Sequence, residues 1–249
     1  MAKQLINISV KVQKSDIFTG AADLLAVGVF SDTPADSIVK ALDKKTKGRI
    51  AQLKKLGDFQ GNAGTACLLY GDGAVAAKRL MLIGLGKRKE VNGDILRKAA
   101  AAASSKAVQL KAKSVLLSLH TDIPTSAKID TVQAGQQLAE GAFFGAYRYD
   151  EFVTDEKNKR IVSLKAAVVD ADAKQVAKLK KGAAAGTVTG TAQNFARTIA
   201  NRPGNVINPL TLASEARKLA RSLPALRCSI LDDKQLVAKK MGGILAVGQ

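Results

Sequence analysis

Side chains that commonly carry enzyme chemistry are scarce in this chain of 249 residues. The single histidine, His120, lies at the end of an apolar run that predicts a strand. One histidine cannot form a histidine-based zinc site, and the chain has no HExxH pattern and no Cys–His ligand spacing. A Ser–His–Asp triad would need His120, but no Gly-x-Ser-x-Gly turn is present. We therefore expect His120 to have a structural role.

Two glycine-rich segments could in principle hold an anion. Gly84–Lys87 follows a predicted strand, but it lacks the four-residue spacer of a phosphate loop, and Arg88 stands where Ser or Thr would bind magnesium. Gly71–Gly73 is typical of a turn between two strands. A tight turn is the favoured interpretation of both segments.

Acidic side chains occur as two adjacent pairs, Asp155-Glu156 and Asp232-Asp233. Two-metal hydrolysis needs several carboxylates that converge on ions about 3.5–4 Å apart, and neither pair has further ligands nearby in sequence. Helix capping or a solvated turn is the simpler role. The sequence thus assigns no catalytic and no metal-binding residue, and substrate-binding residues stay unknown.

The two cysteines, Cys67 and Cys228, lie in the apolar runs ACLLY and LRCSILD. These runs predict buried, reduced thiols, as is usual in a cytosolic protein. No charged-then-apolar leader and no run of 18 apolar residues is present, so we expect no signal peptide and no membrane span.

Strands and helices alternate over residues 1–150, which favours a mixed, largely parallel sheet covered by helices. Asn92 stands where a helix cap is expected. The predicted strands are Ile6–Val12, Leu24–Phe30, Thr65–Tyr70, Arg79–Ile83 and Ser114–Leu119. The predicted helices are Ser37–Leu42, Asp94–Leu110 and Asp130–Tyr147.

A second α/β unit begins after the charged segment 148–160. Its predicted strands are few, and we expect them not to close a core alone, so the unit looks interrupted. The predicted strands are Ile161–Val169, Arg227–Leu231 and Ile244–Val247. The predicted helices are Asp172–Ala200, Pro209–Ser222 with Asn208 as its cap, and a short helix from Asp232 or Asp233 to Gly242.

The chain is strongly basic, with 39 Lys and Arg against 21 Asp and Glu and a formal charge of +18. Such a charge attracts nucleic acid or anionic surfaces without specificity. The excess divides evenly between residues 1–150 and 151–249, so it does not form a basic tail. A dispersed, solvated face is the favoured interpretation.

Four short segments, in order, carry a resemblance to a known family. They are Leu82–Lys87, Gly145–Asp150, the stretch Asn194–Pro209 followed by Leu212-Ala213, and Met241–Gln249. Together they resemble the leucyl aminopeptidase family, in which a helix ends in Asn-x-Pro-x-Asn and a Met-Gly-Gly-x-Leu-Ala-Val segment precedes the catalytic core. Before residue 80 the similarity is one of general pattern.

The resemblance implies a macrodomain-like α/β domain over 1–150, a linker and connecting strand over 151–170, and the start of a second α/β catalytic domain over 171–249. It also implies a cytoplasmic homo-hexamer that removes N-terminal residues, Leu among them, from peptides. Two divalent ions, manganese or zinc, would be held by Lys, Asp and Glu side chains after Gln249. No residue of this chain, Lys239 and Lys240 included, matches one of those ligands. We therefore expect residues 1–249 alone to be inactive.

Two other functions stay open from the sequence. A non-catalytic basic module would serve DNA binding or hexamer assembly. A macrodomain-like fold taken alone would suggest a nucleotide or ADP-ribose binder, although fold does not determine function.

Overall fold

A computed structural model describes residues 5–32, 37–124, 127–154 and 161–248, which fall into two units divided after Asn194. The first unit is built on a six-stranded sheet in the order β1-β6-β5-β2-β4-β3. Five strands run parallel, and the edge strand β3 pairs antiparallel with β4. The strands are β1 (Asn7–Lys14), β2 (Leu24–Phe30), β3 (Ala66–Tyr70), β4 (Arg79–Gly86), β5 (Ser114–Ser118) and β6 (Ser163–Asp170). The expected α/β fold with a mixed sheet is confirmed.

Eight α-helices accompany these strands in the described part of the chain, with a single 3-10 turn at Arg88–Glu90. Helix α5 runs across the division between the two units, and α6 to α8 belong to the second. The helices are α1 (Ser37–Lys45), α2 (Arg49–Leu56), α3 (Gly93–Gln109), α4 (Thr131–Ala146), α5 (Ala173–Asn201), α6 (Pro209–Ser222), α7 (Asp233–Ala238) and α8 (Gly242–Val247).

Strand β2 is buried on both faces, as its continuous apolar sequence predicts. Leu24 and Ala26 point into a core that contains α3, α4 and the first part of α5. Leu25 and Val27 point to the opposite core, which contains Val39 and other residues of α1 and α2. Because successive side chains of β2 point to opposite faces, they pack alternately against the helix layer on each side of the sheet.

Helices α3 and α4 both begin at side-chain caps, of which the one at Asn92 is confirmed as predicted and the one at Asp130 is revealed by the structure. The Asn92 side chain accepts a hydrogen bond from the backbone N–H of Ile95 at 3.1 Å at the start of α3. Asp130 accepts from Gln133 N at 2.8 Å, and the Gln133 side chain accepts in return from Asp130 N at 3.0 Å. Both caps satisfy backbone donors that the first turn of a helix leaves unpaired.

Helices α4 and α5 approach each other at the distance of backbone contact. A Cβ added to Gly182 would lie 1.8 Å from the carbonyl oxygen of Val132, and one added to Gly186 would lie 2.3 Å from that of Gln136. Successive glycines on this side of α5 (Gly182, Gly186 and Gly190) are four positions apart, so they form one stripe on a single face of the helix. Asn194 continues the stripe and donates from Nδ2 to the Phe143 carbonyl at 3.0 Å.

The same kind of contact joins α4 to α3. A Cβ on Gly141 would lie 2.2 Å from the carbonyl oxygen of Arg97, and one on Gly145 would lie 2.0 Å from that of Ala101. The facing surface of α3 is rich in alanine, so both helices contribute little side-chain bulk. Helix α4 is consequently enclosed by backbone on two sides.

Two predicted strands of the second unit are wrong. Residues 227–231 have no regular structure, and Ile244–Val247 lies in helix α8 instead. A short apolar run fits a strand or a helix equally well, and a strand also needs a hydrogen-bonded neighbour. No strand occurs among the described residues 195–248, so neither segment has such a neighbour within its own unit.

The second unit is held by local interactions. Asn208 forms a reciprocal capping box with Thr211 at the start of α6, where Pro209 takes the first helical position. Glu215 lies 3.0 Å from the Lys218 ammonium and 3.9 Å from the Arg202 guanidinium. No residue of α6, α7 or α8 is fully buried, and apolar side chains such as Leu210 are largely exposed.

None of the helices in the described part of the chain combines the length and apolar character needed to cross a membrane.

The α4–α5 contact can be tested by Gly182→Ala. Alanine favours helix by about 1 kcal/mol over glycine, yet here its methyl group would overlap the Val132 carbonyl. We expect a net loss of about 1–3 kcal/mol in the free energy of unfolding, measured by urea denaturation followed by circular dichroism. The control is Gly243→Ala, at a helical glycine with open space around it. Equal effects of the two substitutions would contradict the backbone contact.

Candidate functional site

The parallel strands β5 and β6 end at the same edge of the sheet, where open α/β sheets bind their ligands. His120 follows β5, and Asp170 is the last residue of β6. The His120 Nε2 atom lies 2.8 Å from Asp170 Oδ2, and the two side chains are only 6% and 14% exposed. This buried pair joins the carboxyl ends of two neighbouring strands, although 50 residues separate its members.

Asp170 also orders the start of α5. Its Oδ1 atom accepts a hydrogen bond from the backbone N–H of Asp172 at 2.7 Å. The hydrogen bond from His120 holds the pKa of Asp170 below its ordinary value, with help from Asp172 N–H and against the effect of burial. Asp170 is therefore an ionised hydrogen-bond acceptor at neutral pH.

A cleft of about 710 Å³ opens beside this pair. It is formed by the residues that follow β5, the start of α4, the end of β6, the first turns of α5 and one residue of α1. Its lining consists of Ile38, His120, Thr121, Asp122, Ile123, Pro124, Ala127, Ile129, Asp130, Thr131, Val132, Ala134, Asp170, Gln175 and Lys178. The volume is within the range of small-molecule sites, but eight of the fifteen lining residues are polar or charged, so the cleft is more polar than such sites usually are.

The chemistry that this lining could perform is limited. The His120–Asp170 pair has the geometry of a base and the carboxylate that orients it. However, the described lining contains no serine or cysteine that could act as the nucleophile. The hydroxyl groups of the lining are those of Thr121 and Thr131. His120 contacts the buried Asp170 carboxylate, and its structural role stays a prediction.

Arg88 connects three loops at this edge of the sheet. Its backbone N–H donates to the Asp32 carboxylate, at 3.1 and 3.2 Å, after β2. Its guanidinium donates to the carbonyl of Asp122 at 2.7 Å, after β5, and lies 4.5 Å from the centre of the Phe30 ring. In the sequence, Arg88 was noted only because it stands where a phosphate loop would have the Ser or Thr that binds magnesium. Its contacts lie 34 and 56 residues away, and no local sequence pattern indicates them.

The glycines of Gly84–Lys87 are explained by packing. A Cβ on Gly84 would lie 2.0 Å from the Asn62 carbonyl oxygen, and Gly86 has a φ of 75°. The N–H of Gly84 donates to Thr65 O at 2.8 Å, and that of Gly86 to Gly61 O at 2.9 Å. Because these donors are used within the fold, they cannot cradle a phosphate.

The segment Gly71–Gly73 forms the tight turn that its sequence predicts. Ala74 N–H donates to Gly71 O at 2.7 Å, and both Asp72 and Gly73 have positive φ angles. The Asp72 carboxylate forms an ion pair with Arg49. This turn opens the connection between the antiparallel strands β3 and β4.

The prediction that both cysteines are buried is wrong for Cys228. That residue is exposed, because the segment around it is not a strand and packs into no sheet. Cys67 is half-buried on β3, and burial raises the pKa of its thiol, with a smaller contribution from the charge of Asp58. A raised pKa disfavours the reactive thiolate at neutral pH.

The acidic pairs do not form a metal site in the described residues. Asp232 caps α7 and exchanges hydrogen bonds with Gln235, and Asp233 lies in the first turn of that helix. The pair Asp155-Glu156 lies outside the described residues. No group of three or more His, Cys, Asp or Glu side chains that could hold a metal occurs in the described part of the chain.

Comparison with known proteins gives two successive family matches. Residues 26–156 match the N-terminal domain of the cytosol aminopeptidase family, and residues 194–249 match its catalytic domain. A probable cytosol aminopeptidase of Ralstonia pickettii is 34% identical over 240 residues, which cover 94% of this chain and 47% of that relative. One of Chromohalobacter salexigens is 35% identical, over 90% of this chain and 44% of its own. The chain spans about half the length of the curated relatives it matches.

Solved structures show the same fold. A mutant of tomato leucine aminopeptidase superposes with a TM-score of 0.80 at 23% identity, over 98% of this chain and 48% of its own. The bottromycin maturation enzyme BotP in complex with Mn gives 0.65 at 23% identity, over 91% of this chain and 42% of its own.

The role of Asp170 predicts a pH dependence in the acid range. Because its pKa is lowered in the folded protein, the carboxylate stabilises the fold above about pH 4 and ceases to do so as the pH falls through the folded-state pKa. We expect the wild-type chain to melt at a higher temperature than Asp170→Asn at about pH 6, and the difference to shrink progressively below about pH 4.

Thermal unfolding followed by circular dichroism between about pH 2 and pH 6 measures this difference. The matched control is Asp58→Asn, an exposed aspartate whose side chain has no described hydrogen bond. A difference that stayed constant to the lowest pH would show that the charge of Asp170 is not the stabilising feature.

Proposed function

We propose, because this chain belongs to the cytosol aminopeptidase family, that it forms the N-terminal portion of a metal-dependent aminopeptidase that removes N-terminal residues from peptides. The observation that carries the proposal is the order of the two matches, with the N-terminal domain at 26–156 followed by the catalytic domain from 194. In this proposal residues 1–150 form the macrodomain-like domain, 151–170 a connection whose strand β6 also pairs with β1 and β5 in the sheet of that domain, and 171–249 the start of the catalytic domain.

The metal chemistry belongs to residues after Gln249 in this proposal. Two divalent ions, manganese or zinc, would polarise the peptide carbonyl and generate the attacking hydroxide. The complex of BotP with Mn supports a divalent ion in a protein of this fold. The described residues of this chain do not fit a metal site, since Asp232 is used as a helix cap and no cluster of ligands surrounds it. We therefore assign no metal ligand and no catalytic step to them.

Residues of this chain would contribute scaffold and assembly to such an enzyme. Peptides are the proposed substrates, with leucyl residues among those removed, and a cytoplasmic homo-hexamer is the proposed form. The sequence identity to probable cytosol aminopeptidases over nearly the whole chain supports this assignment.

Aminopeptidase assays on two proteins test the proposal. One is the chain of residues 1–249, and the other is the intact product of the native gene, whose mass is first measured against 26.1 kDa. We expect a mass near twice that value, and leucine p-nitroanilide hydrolysis by the intact product with added Mn²⁺ that a chelator abolishes. Residues 1–249 alone should show none, because the ligands are missing.

Two results would count against the enzyme. Absence of hydrolysis by a longer intact product, with Mn²⁺ or Zn²⁺ supplied, would remove the proposed activity. Metal-dependent hydrolysis by residues 1–249 alone would show that the ligands lie within the chain after all.

A basic surface on α1 and α2 favours a second candidate function, binding of nucleic acid. Residues 37–56 contain seven basic side chains and one acidic side chain, Asp43. Asp43 accepts hydrogen bonds from the N–H groups of Ile50 and Ala51, and Arg49 pairs with Asp72. The remaining basic side chains are Lys40, Lys44, Lys45, Lys47, Lys54 and Lys55, most of them exposed.

Replacement of Lys44, Lys45 and Lys47 by glutamine tests this second function. If the surface binds duplex DNA, affinity should fall steeply with salt, and the triple variant should lower the salt slope by about 2–3 because each lost contact releases one counterion fewer. Fluorescence anisotropy from low to near-physiological salt measures both quantities. Binding with the wild-type slope in the variant, or no binding at low salt, would exclude this surface.

A further inference from the structure

The cleft beside β5 and β6 is lined by two exposed charged side chains of opposite sign that have no ion pair within the described fold. The carboxylate of Asp122 and the ammonium group of Lys178 make no hydrogen bond or ion pair with any described residue, although both residues line the cleft. Asp122 is held in place through its backbone, whose carbonyl accepts the hydrogen bond from Arg88. The loop that carries the carboxylate is therefore fixed while the carboxylate itself remains available.

The other charged groups of the lining are already engaged. Asp130 caps α4, and Asp170 accepts from His120 and from the N–H of Asp172. The His120 ring is buried and fixed by this contact, and its Nδ1 atom has no partner among the described residues. The engaged groups form a rigid polar wall, so recognition of a charged ligand falls to Asp122 and Lys178.

Gln175 adds a directed donor close to Lys178 on the same helix. Its Oε1 atom accepts from the Thr131 hydroxyl at 2.9 Å, which orients the side-chain amide and leaves its NH₂ group without a described partner. Residues three apart on a helix lie on one face, so Gln175 and Lys178 present an amide and an ammonium group side by side. Such a pair suits a carboxylate.

Apart from Thr121 and Thr131, the rest of the lining is aliphatic. It has no aromatic ring on which a base could stack among the described residues, and its apolar members are Ile38, Ile123, Pro124, Ala127, Ile129, Val132 and Ala134. A multiply charged anion would be repelled by the carboxylates of Asp122 and Asp170. A simple cation would be repelled by the ammonium group of Lys178. A ligand with one positively charged end, one negatively charged end and an aliphatic body would complement Asp122, the pair Lys178 and Gln175, and the aliphatic part of the lining.

We propose that this cleft binds a small zwitterion with an aliphatic side chain, of the class of a free aliphatic amino acid or a short aliphatic peptide. Its ammonium group is held by Asp122, its carboxylate by Lys178 and the Gln175 amide, and its side chain lies against Ile123 and Ile129. The assignment is independent of the proposed peptidase activity, since it rests only on residues of the first unit.

Isothermal titration calorimetry on residues 1–249, with a chelator present so that no metal-dependent hydrolysis occurs, tests the assignment. The probes are L-leucine and L-leucyl-L-leucine, which distinguish an amino acid from a peptide. Two analogues each remove one charge: leucinamide lacks the carboxylate, and N-acetyl-leucine lacks the ammonium group. We expect saturable binding of at least one zwitterion and at least about tenfold weaker binding of both analogues.

Two variants assign the charges to residues. Lys178→Gln and Asp122→Asn should each weaken binding of the zwitterion by about tenfold or more, because a charge-assisted hydrogen bond is lost. Asparagine tolerates the φ of 60° at position 122, so the loop should keep its form. Lys180→Gln, on the same helix but outside the lining, is the matched control and should bind like wild type.

The proposal is overturned if neither zwitterion shows saturable binding, or if leucinamide and N-acetyl-leucine bind as well as leucine. It is also overturned if Lys178→Gln and Asp122→Asn, with wild-type circular dichroism spectra, keep wild-type affinity. None of these outcomes depends on whether the intact gene product hydrolyses peptides.

Discussion

The first unit depends on the close approach of α4 to its two neighbouring helices. Where a helix presents glycine, its backbone can touch the backbone of the next helix, and the axes come closer than side chains would allow. Gly182 and Gly186 do this for α5, and Gly141 and Gly145 for α3. The first turns of α4 and α5 both line the cleft, so the same contact sets the distance across it. A larger side chain in the stripe would change the cleft as well as the core.

Most elements of the first unit could be predicted from the sequence because they have local signals, but helix α2 (Arg49–Leu56) is not among the predicted helices. The continuous apolar run at Leu24–Phe30 predicts a strand buried on both faces, and Asn92 and Asp130 mark helix starts through hydrogen bonds to residues only three positions away. The failures at residues 227–231 and 244–247 have the opposite origin. A strand is stabilised by its neighbours, and a short apolar run does not say whether neighbours exist.

The site could be predicted only in part, for a related reason. His120 stood out as the lone histidine, but its partner Asp170 is 50 residues away and is brought to it by the order of the sheet. Arg88 was set aside because a phosphate loop has another residue there, whereas its contacts are with loops after two other strands. Short-range patterns predict caps and turns, and the topology of the sheet determines which distant side chains meet at its edge. Neither short-range patterns nor the topology of the sheet indicates the family. The resemblance does, because it lies in ordered segments spread over residues 82–249.

The pairing of β1 with β6 has a consequence for how the chain folds during synthesis. Asn7 of the first strand lies opposite Ser163, and the two strands stay in register to Lys14 and Asp170. The N-terminal strand therefore leaves the ribosome more than 150 residues before its neighbour in the sheet. At about 5–20 residues per second it waits for roughly 8–30 seconds with its backbone donors and acceptors unpaired. Its alternating sequence, NISVKVQK, places lysines along an edge that stays exposed throughout this interval. Charged side chains on an exposed edge hinder pairing with other chains, so the same residues that border the finished sheet also protect the nascent chain from aggregation.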